Sequence, residues 1–282
     1  MMAAMTELNR RGALRLGALL GASAGLGAAA LNRPMSPGAL ADPGSAAPTY
    51  VTGSFVSAAR GGVSTNWAIA RPPGQTKPLR AVIALHGKDS SAAQVMAGGV
   101  EQGLAQALAA GLPPFAVVAV DGGNGYWHKR ADGDDAGAMV LNELIPMLGS
   151  HGIDTSRVGF MGWSMGGYGA LLLGGRLGAG RTSAICAVSP ALWTSSGATA
   201  PGAFDGADDY AANSVWGLSG LSGIPIRIDC GNSDPFLAAT KQFIAQLPHG
   251  AAGGFSPGGH DSSFWNSQLP AEISWLAPLL VA

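Results

Sequence analysis

The chain has 282 residues, enough for one large domain or two small ones. Hydrophobic residues make up 47% and charged residues only 12%, so a sizeable core is available and disorder is excluded as the default. Sixteen basic against seventeen acidic residues leave a formal net charge of −1, which excludes a basic nucleic-acid footprint. Two cysteines, Cys186 and Cys230, are too few for a disulfide scaffold or a Cys-based zinc site.

The first 41 residues read as an export signal. Arg10-Arg11 precedes a weakly apolar, Gly/Ala-rich run over 16–31, as in a twin-arginine leader. The run is too short and too weak to predict a stable membrane span once the leader is removed. Small-residue cleavage sites fall at Ala30 and at Ala41. Residues 42–49 are rich in Pro, Gly, Ala and Ser and read as a linker.

Two strands, 51–58 and 63–71, flank Gly61-Gly62 and predict a hairpin. From 79 onward the rhythm changes. Continuous apolar runs at 79–85, 115–120, 158–163, 182–188 and 224–229 have the character of buried parallel strands. Helical stretches are expected at 90–110, 132–148, 165–177, 235–247 and 262–280. This alternation predicts an α/β fold, a mostly parallel central sheet with helices on both faces and an N-terminal antiparallel hairpin. One irregular stretch, 190–223, joins two strands that need only a crossover. It carries Trp193, Phe204, Tyr210 and Trp216 in a Gly/Ser-rich background, so it is expected to fold over a neighbouring apolar pocket at the strand ends as a partial lid.

Gly162-Trp163-Ser164-Met165-Gly166 fits G-x-S-x-G between a buried strand and a small-residue helix. A turn that tight exposes the Ser164 hydroxyl at the sheet edge, with a helix N-terminus behind it. A serine nucleophile needs a base, and the base needs a carboxylate to hold its tautomer. His260, on a Gly-rich loop before the last helix, is the candidate base; His86, His128, His151 and His249 compete with it. Asp234, after the strand at 224–229, is the candidate acid and also a candidate helix cap before Pro235. Asp229 is its rival, and Asp261 reads as the cap of the last helix. The order Ser164, Asp234, His260 is the order expected of an α/β-hydrolase triad. The Met165 amide and an amide of the His86-Gly87-Lys88 turn are the candidate oxyanion donors.

These motifs, together with Asp121-Gly122-Gly123-Asn124-Gly125-Tyr126-Trp127 and Gly258-Gly259-His260, resemble the esterase D-like branch of the α/β-hydrolases. That branch includes feruloyl esterases and secreted actinobacterial mycolyltransferases. The resemblance spans roughly 50–282. It implies a cofactor-free serine hydrolase or acyltransferase acting on a small-molecule or lipid ester. The chain departs from the mycolyltransferases at His86 and at Asp234, which argues against trehalose mycolyl transfer. Three readings follow: an exported esterase, an acyltransferase to a sugar hydroxyl, and an inactive binding protein.

His86, Trp127, Trp193, Trp216 and Trp265 are the candidate substrate-binding residues, with core packing as the alternative for each tryptophan. A Cys186–Cys230 disulfide would have to span neighbouring parallel strands, an unfavourable geometry. Asp205, Asp208 and Asp209 read as solvated acids rather than a cation site.

Overall fold

A computed structural model describes residues 50–282. The expected leader and the linker lie outside the described residues.

Eight strands form one sheet in the order β1-β2-β4-β3-β5-β6-β7-β8. Strands β1 (Tyr50–Ser57) and β2 (Val63–Ala70) form the antiparallel hairpin, and β2 runs antiparallel to β4 (Ala116–Val120). All other neighbours are parallel: β3 (Leu79–Leu85), β5 (Ile153–Trp163), β6 (Thr182–Val188), β7 (Ile226–Gly231) and β8 (Ala252–Ser256).

Strands β4 and β6 are buried along their whole length, because both faces of the sheet are covered. Side chains alternate between the faces. Ile83, Leu85, Val118 and Phe160 enter one core; Val82, Ala84, Val117 and Met161 enter the other. Three helices pack on the second core: α1 (Ala92–Ala97), α2 (Val100–Ala109) and the long C-terminal helix described below. The sequence reading has one helix over 90–110; the structure breaks it at Gly98-Gly99, where Gly99 takes a left-handed φ of 99°.

The first core is covered by a mixed helical segment, by α5 (Met165–Leu177), and by the stretch 190–223. The mixed segment runs through α3 (Ala136–Ala138), a π-helical turn at Met139–Leu144, α4 (Ile145–Met147) and a 3-10 turn at Leu148–His151. Pro146 has no N–H to give the Asn142 carbonyl, so regular α-helical bonding fails there. The stretch 190–223 contains one short helix, α6 (Ala207–Ala212), and two 3-10 turns. Helices α7 (Leu237–Gln246) and α8 (Ser262–Leu280) complete the fold, α7 on the first core and α8 on the second.

Most strands lie within two residues of expectation, β7 for instance at Ile226–Gly231 rather than 224–229, and two differ by more. β5 starts at Ile153 rather than 158, because a polar lead pairs Ile153 and Asp154 with β3 before a register shift. β8 is an edge strand that the sequence reading misses: Ala-Gly-Gly-Phe-Ser has little strand propensity, and only pairing with β7 extends it. Among the described residues, no helix is long and apolar enough to cross a membrane.

Candidate active site

The turn from β5 into α5 places Ser164 at φ 55°, ψ −118°, a left-handed conformation that a non-glycine residue rarely adopts. Crowding explains why its neighbours are glycines. A Cβ at Gly166 would stand 1.9 Å from the Leu85 carbonyl oxygen, and one at Gly162 would stand 2.3 Å from the Gly166 oxygen. The turn is anchored by the Ser164 amide, which donates to the Val188 carbonyl at 3.0 Å.

Ser164, His260 and Asp234 come together at the C-terminal ends of β5, β7 and β8. His260 Nε2 lies 2.8 Å from Ser164 Oγ, and His260 Nδ1 lies 2.9 Å from Asp234 Oδ2. The loop carrying His260 is held by two amides: Asn232 donates to the Ser256 carbonyl and Ser233 to the Gly258 carbonyl. The Asp234 side chain is fully buried while that of His260 is 22% exposed, so the imidazole faces the cleft and the carboxylate backs it. Burial of Asp234 pushes its carboxyl up. The His260 hydrogen bond, the nearby Ser189 hydroxyl and the Phe236 amide outweigh that and hold it below the ordinary carboxylate value.

Asp234 does not cap a helix directly. Its Oδ1 accepts from the Phe236 amide at 2.8 Å, a turn that precedes α7, which starts at Leu237. Its rival Asp229 is inside β7 and forms a forked ion pair with Arg227. Asp261 caps α8, accepting from the Phe264 amide. Of the competing histidines, His86 lines the cleft but is bonded to Gly87 and Gly122 rather than to Ser164, and the other three are elsewhere. His128 is buried against Asp209, His151 packs on Trp67, and His249 is exposed between α7 and β8.

A cleft of about 440 Å³ opens over Ser164. His86, Gly87 and Lys88 form one wall, Gln94 and Val95 of α1 another, and Trp265, Asn266 and Leu269 of α8 a third. Trp163, the last residue of β5 and part of an apolar run expected to be buried, also lines it. Trp265 packs edge-on against His260, with ring centroids 5.2 Å apart. Met165 is the first residue of α5, so its amide is one of the four that a helix leaves without an internal partner.

Three of the five candidate substrate-binding residues lie outside this cleft. Trp127 is fully buried in the first core, against Gly122, Gly137 and Gly169, whose missing side chains make room for it. Trp193 and Trp216 belong to 190–223, and no residue of that stretch lines the cleft. Its aromatics pack against Tyr126, His128 and Tyr168 instead, because the crossover from β6 to β7 runs over the sheet face opposite α1 and α8. The expected lid is therefore a wall of the first core. Asp205 and Asp209 fasten it, bonding Arg130 and His128 respectively.

Both cysteines are free and buried. Val188 pairs with Asp229, so Cys230 is three positions out of register with Cys186 and on the opposite face of the sheet, and cannot bridge to it. One cluster with metal-ligand chemistry exists among the described residues, Cys186 with Asp229 and Glu272. It is sealed under α8, and both Asp229 oxygens already accept from Arg227.

The Esterase family model matches residues 62–276. The chain belongs to the Esterase family. It is a serine esterase, a carboxylic ester hydrolase by class. No curated protein matches it in sequence comparison. Solved structures share its fold. A ferulic acid esterase aligns with TM-score 0.71 at 19% identity, over 82% of this chain and 98% of its own. The S-formylglutathione hydrolase of Agrobacterium tumefaciens gives 0.66 at 19%, over 84% and 98%. MPT51 of Mycobacterium tuberculosis gives 0.66 at 18%, over 83% and 100%.

Proposed function

We propose that this esterase cleaves small, uncharged carboxylic esters through an acyl-enzyme on Ser164. The observation that carries the reading is the continuous chain Ser164 Oγ–His260–Asp234, with 2.8 and 2.9 Å links, at the floor of a cleft. Ser164 attacks the ester carbonyl while His260 Nε2 takes its proton. Asp234 accepts from Nδ1–H, which keeps Nε2 free to act as base and stabilises the imidazolium that forms. The amides of Met165 and Lys88 hold the oxyanion. His260 then protonates the departing alcohol, and water, activated by the same imidazole, releases the acid.

The cleft supports the substrate class. Among the described residues its lining includes one Lys or Arg cation, Lys88, and no carboxylate, so it offers no paired counter-charges for a zwitterionic leaving group. Trp163 and Trp265 offer flat apolar walls, suited to short-chain or aryl esters. The twin arginine Arg10-Arg11 and the apolar run behind it support export to the envelope or medium, checked by assaying activity in those fractions.

The decisive test is labelling with a fluorophosphonate, which reacts only where a serine, its base and its oxyanion donors are assembled. Wild type should label at Ser164 and Ser164→Ala should not. An unlabelled wild type would favour a non-catalytic protein. Hydrolysis of nitrophenyl acetate in the presence of trehalose should release free acid only; an acylated sugar would move the reading to acyl transfer.

A further inference from the structure

We propose that His86 is a positioning residue that aims the Lys88 amide at the oxyanion, by holding the Gly87 carbonyl in the opposite direction. The inference rests on the proposed role of Ser164.

The tautomer of His86 follows from its partners. Its Nε2 lies 2.9 Å from the Gly122 amide nitrogen, whose hydrogen points at it. A backbone amide can only donate, so Nε2 carries no proton and accepts. The proton is therefore on Nδ1, which lies 2.7 Å from the Gly87 carbonyl oxygen. A carbonyl can only accept, so Nδ1–H donates to it. Both contacts are met by one neutral tautomer, and the imidazolium would lose the Gly122 bond. His86 is 1% exposed. Its burial holds the imidazole below the ordinary histidine value, against the raising effects of Gly87 and Asp121.

The Gly87–Lys88 peptide is the unit that His86 controls. In a trans peptide the C=O of one residue and the N–H of the next point in opposite directions. Fixing the Gly87 oxygen toward the imidazole turns the Lys88 N–H away from it. Gly87 sits directly against the nucleophile: a Cβ on it would stand 3.6 Å from Ser164 Cβ, and both Gly87 and Lys88 line the cleft. The turn has no regular secondary structure to orient this peptide. Without the Nδ1–H bond the peptide could flip and present its carbonyl, the wrong charge, to a developing oxyanion.

The surroundings make His86 a rigid clamp. Its ring packs edge-on against Trp127, with centroids 5.0 Å apart. The rest of the turn is tied to the 121–124 loop independently. The Asp89 amide donates to Asn124 Oδ1 at 2.8 Å, Asn124 Nδ2 returns to Asp89 Oδ1 at 2.7 Å, and the Ala92 amide donates to Asp121 Oδ1 at 2.7 Å. Those ties fix where the turn sits. His86 fixes which way its first peptide faces, and this explains why a histidine stands before Gly87.

Two substitutions separate the bonds. In His86→Asn the side-chain amide N–H can take the place of Nδ1–H and keep Gly87. In His86→Gln the longer side chain reaches the Nε2 position and keeps Gly122 instead. Kinetics on nitrophenyl acetate should show the smaller loss of kcat for His86→Asn. For His86→Gln kcat should fall about 10- to 100-fold, short of the roughly 10²–10³ of losing an oxyanion donor outright. KM should change little and the pH profile, set by His260, should keep its shape. Phosphonylation of Ser164 should slow in parallel. Equal activity of both variants, or a loss expressed in KM, would overturn the proposal. A wild type that fails to label would instead fail the parent reading. Nitrogen-15 histidine spectra of the wild type provide a test that needs no variant: a buried neutral imidazole protonated on Nδ1 is expected, and an Nε2–H tautomer at His86 would overturn the inference.

Discussion

His260 Nε2 lies 2.8 Å from Ser164 Oγ although 96 residues separate the two in the chain. The contact exists because β5 and β8 end at the same edge of the parallel part of one sheet, and because the Asn232 and Ser233 amides fold the 256–259 loop back toward the nucleophile. Asp234 completes it from the neighbouring β7 loop.

Asp234→Asn should leave the fold intact and lower kcat by about 10⁴-fold, since an amide can hold the imidazole in the wrong tautomer. Nitrophenyl acetate kinetics measure it. The stability effect has a defined sign. The folded carboxyl is held below its unfolded value, so its contribution is present above about pH 3.9 and is lost as the pH falls below that toward the folded value. Thermal melts across acid pH should show a shallower acid decline in the variant.

Gly166→Ala should be the most damaging single-methyl change near the site. The added carbon would meet the Leu85 backbone at 1.9 Å, and neither β3 nor α5 can yield without breaking the turn. A loss of about 3 kcal/mol is expected, read by denaturant unfolding, with activity falling further than stability because Ser164 is displaced.

Glu272 is fully buried in α8, and neither carboxyl oxygen has a hydrogen-bond partner. Burial, with Asp229 adding to it against Arg227, pushes its carboxyl well up. A raised folded value means that stability is fully present below the unfolded value and is lost as the pH rises toward the folded one. Glu272→Met should therefore raise stability by about 1–3 kcal/mol at neutral pH. The gain should shrink toward about pH 4 and grow toward alkaline pH in a Tm series.

The tryptophans should divide by face. Trp265→Ala opens the cleft beside His260 and should shift the preference along a series of nitrophenyl esters of rising acyl length. Trp216→Ala removes a side chain that packs on Phe243 and donates from Nε1 to the Trp193 carbonyl at 2.7 Å. It should cost about 3 kcal/mol of stability and leave the chain-length optimum where it was. A shifted optimum in Trp216→Ala would return the stretch 190–223 to the substrate site.

Local sterics and repetition are legible along the chain alone. The apolar runs at 79–85 and 182–188 match β3 and β6 residue for residue, because strands buried on both faces leave little room for polar side chains. The 165–177 and 262–280 helices match equally well, and the Ser164 turn is legible because no residue larger than glycine fits at 162 or 166. Other features depend on contacts between distant segments. The edge strand β8 exists through pairing with β7 and has no pattern of its own. Trp127, Trp193, Trp216 and Trp265 look alike in the chain, yet of these four Trp265 is the one that reaches the cleft, since a tryptophan's role depends on which face of the sheet its segment covers. Asp229 and Asp234 flank the same turn, and the choice between them rests on Arg227, two residues back along β7, which occupies Asp229 and leaves Asp234 to His260. Hydrophobic periodicity is a property of neighbours along the chain, whereas the pairing of charges and the choice of face are properties of neighbours in space.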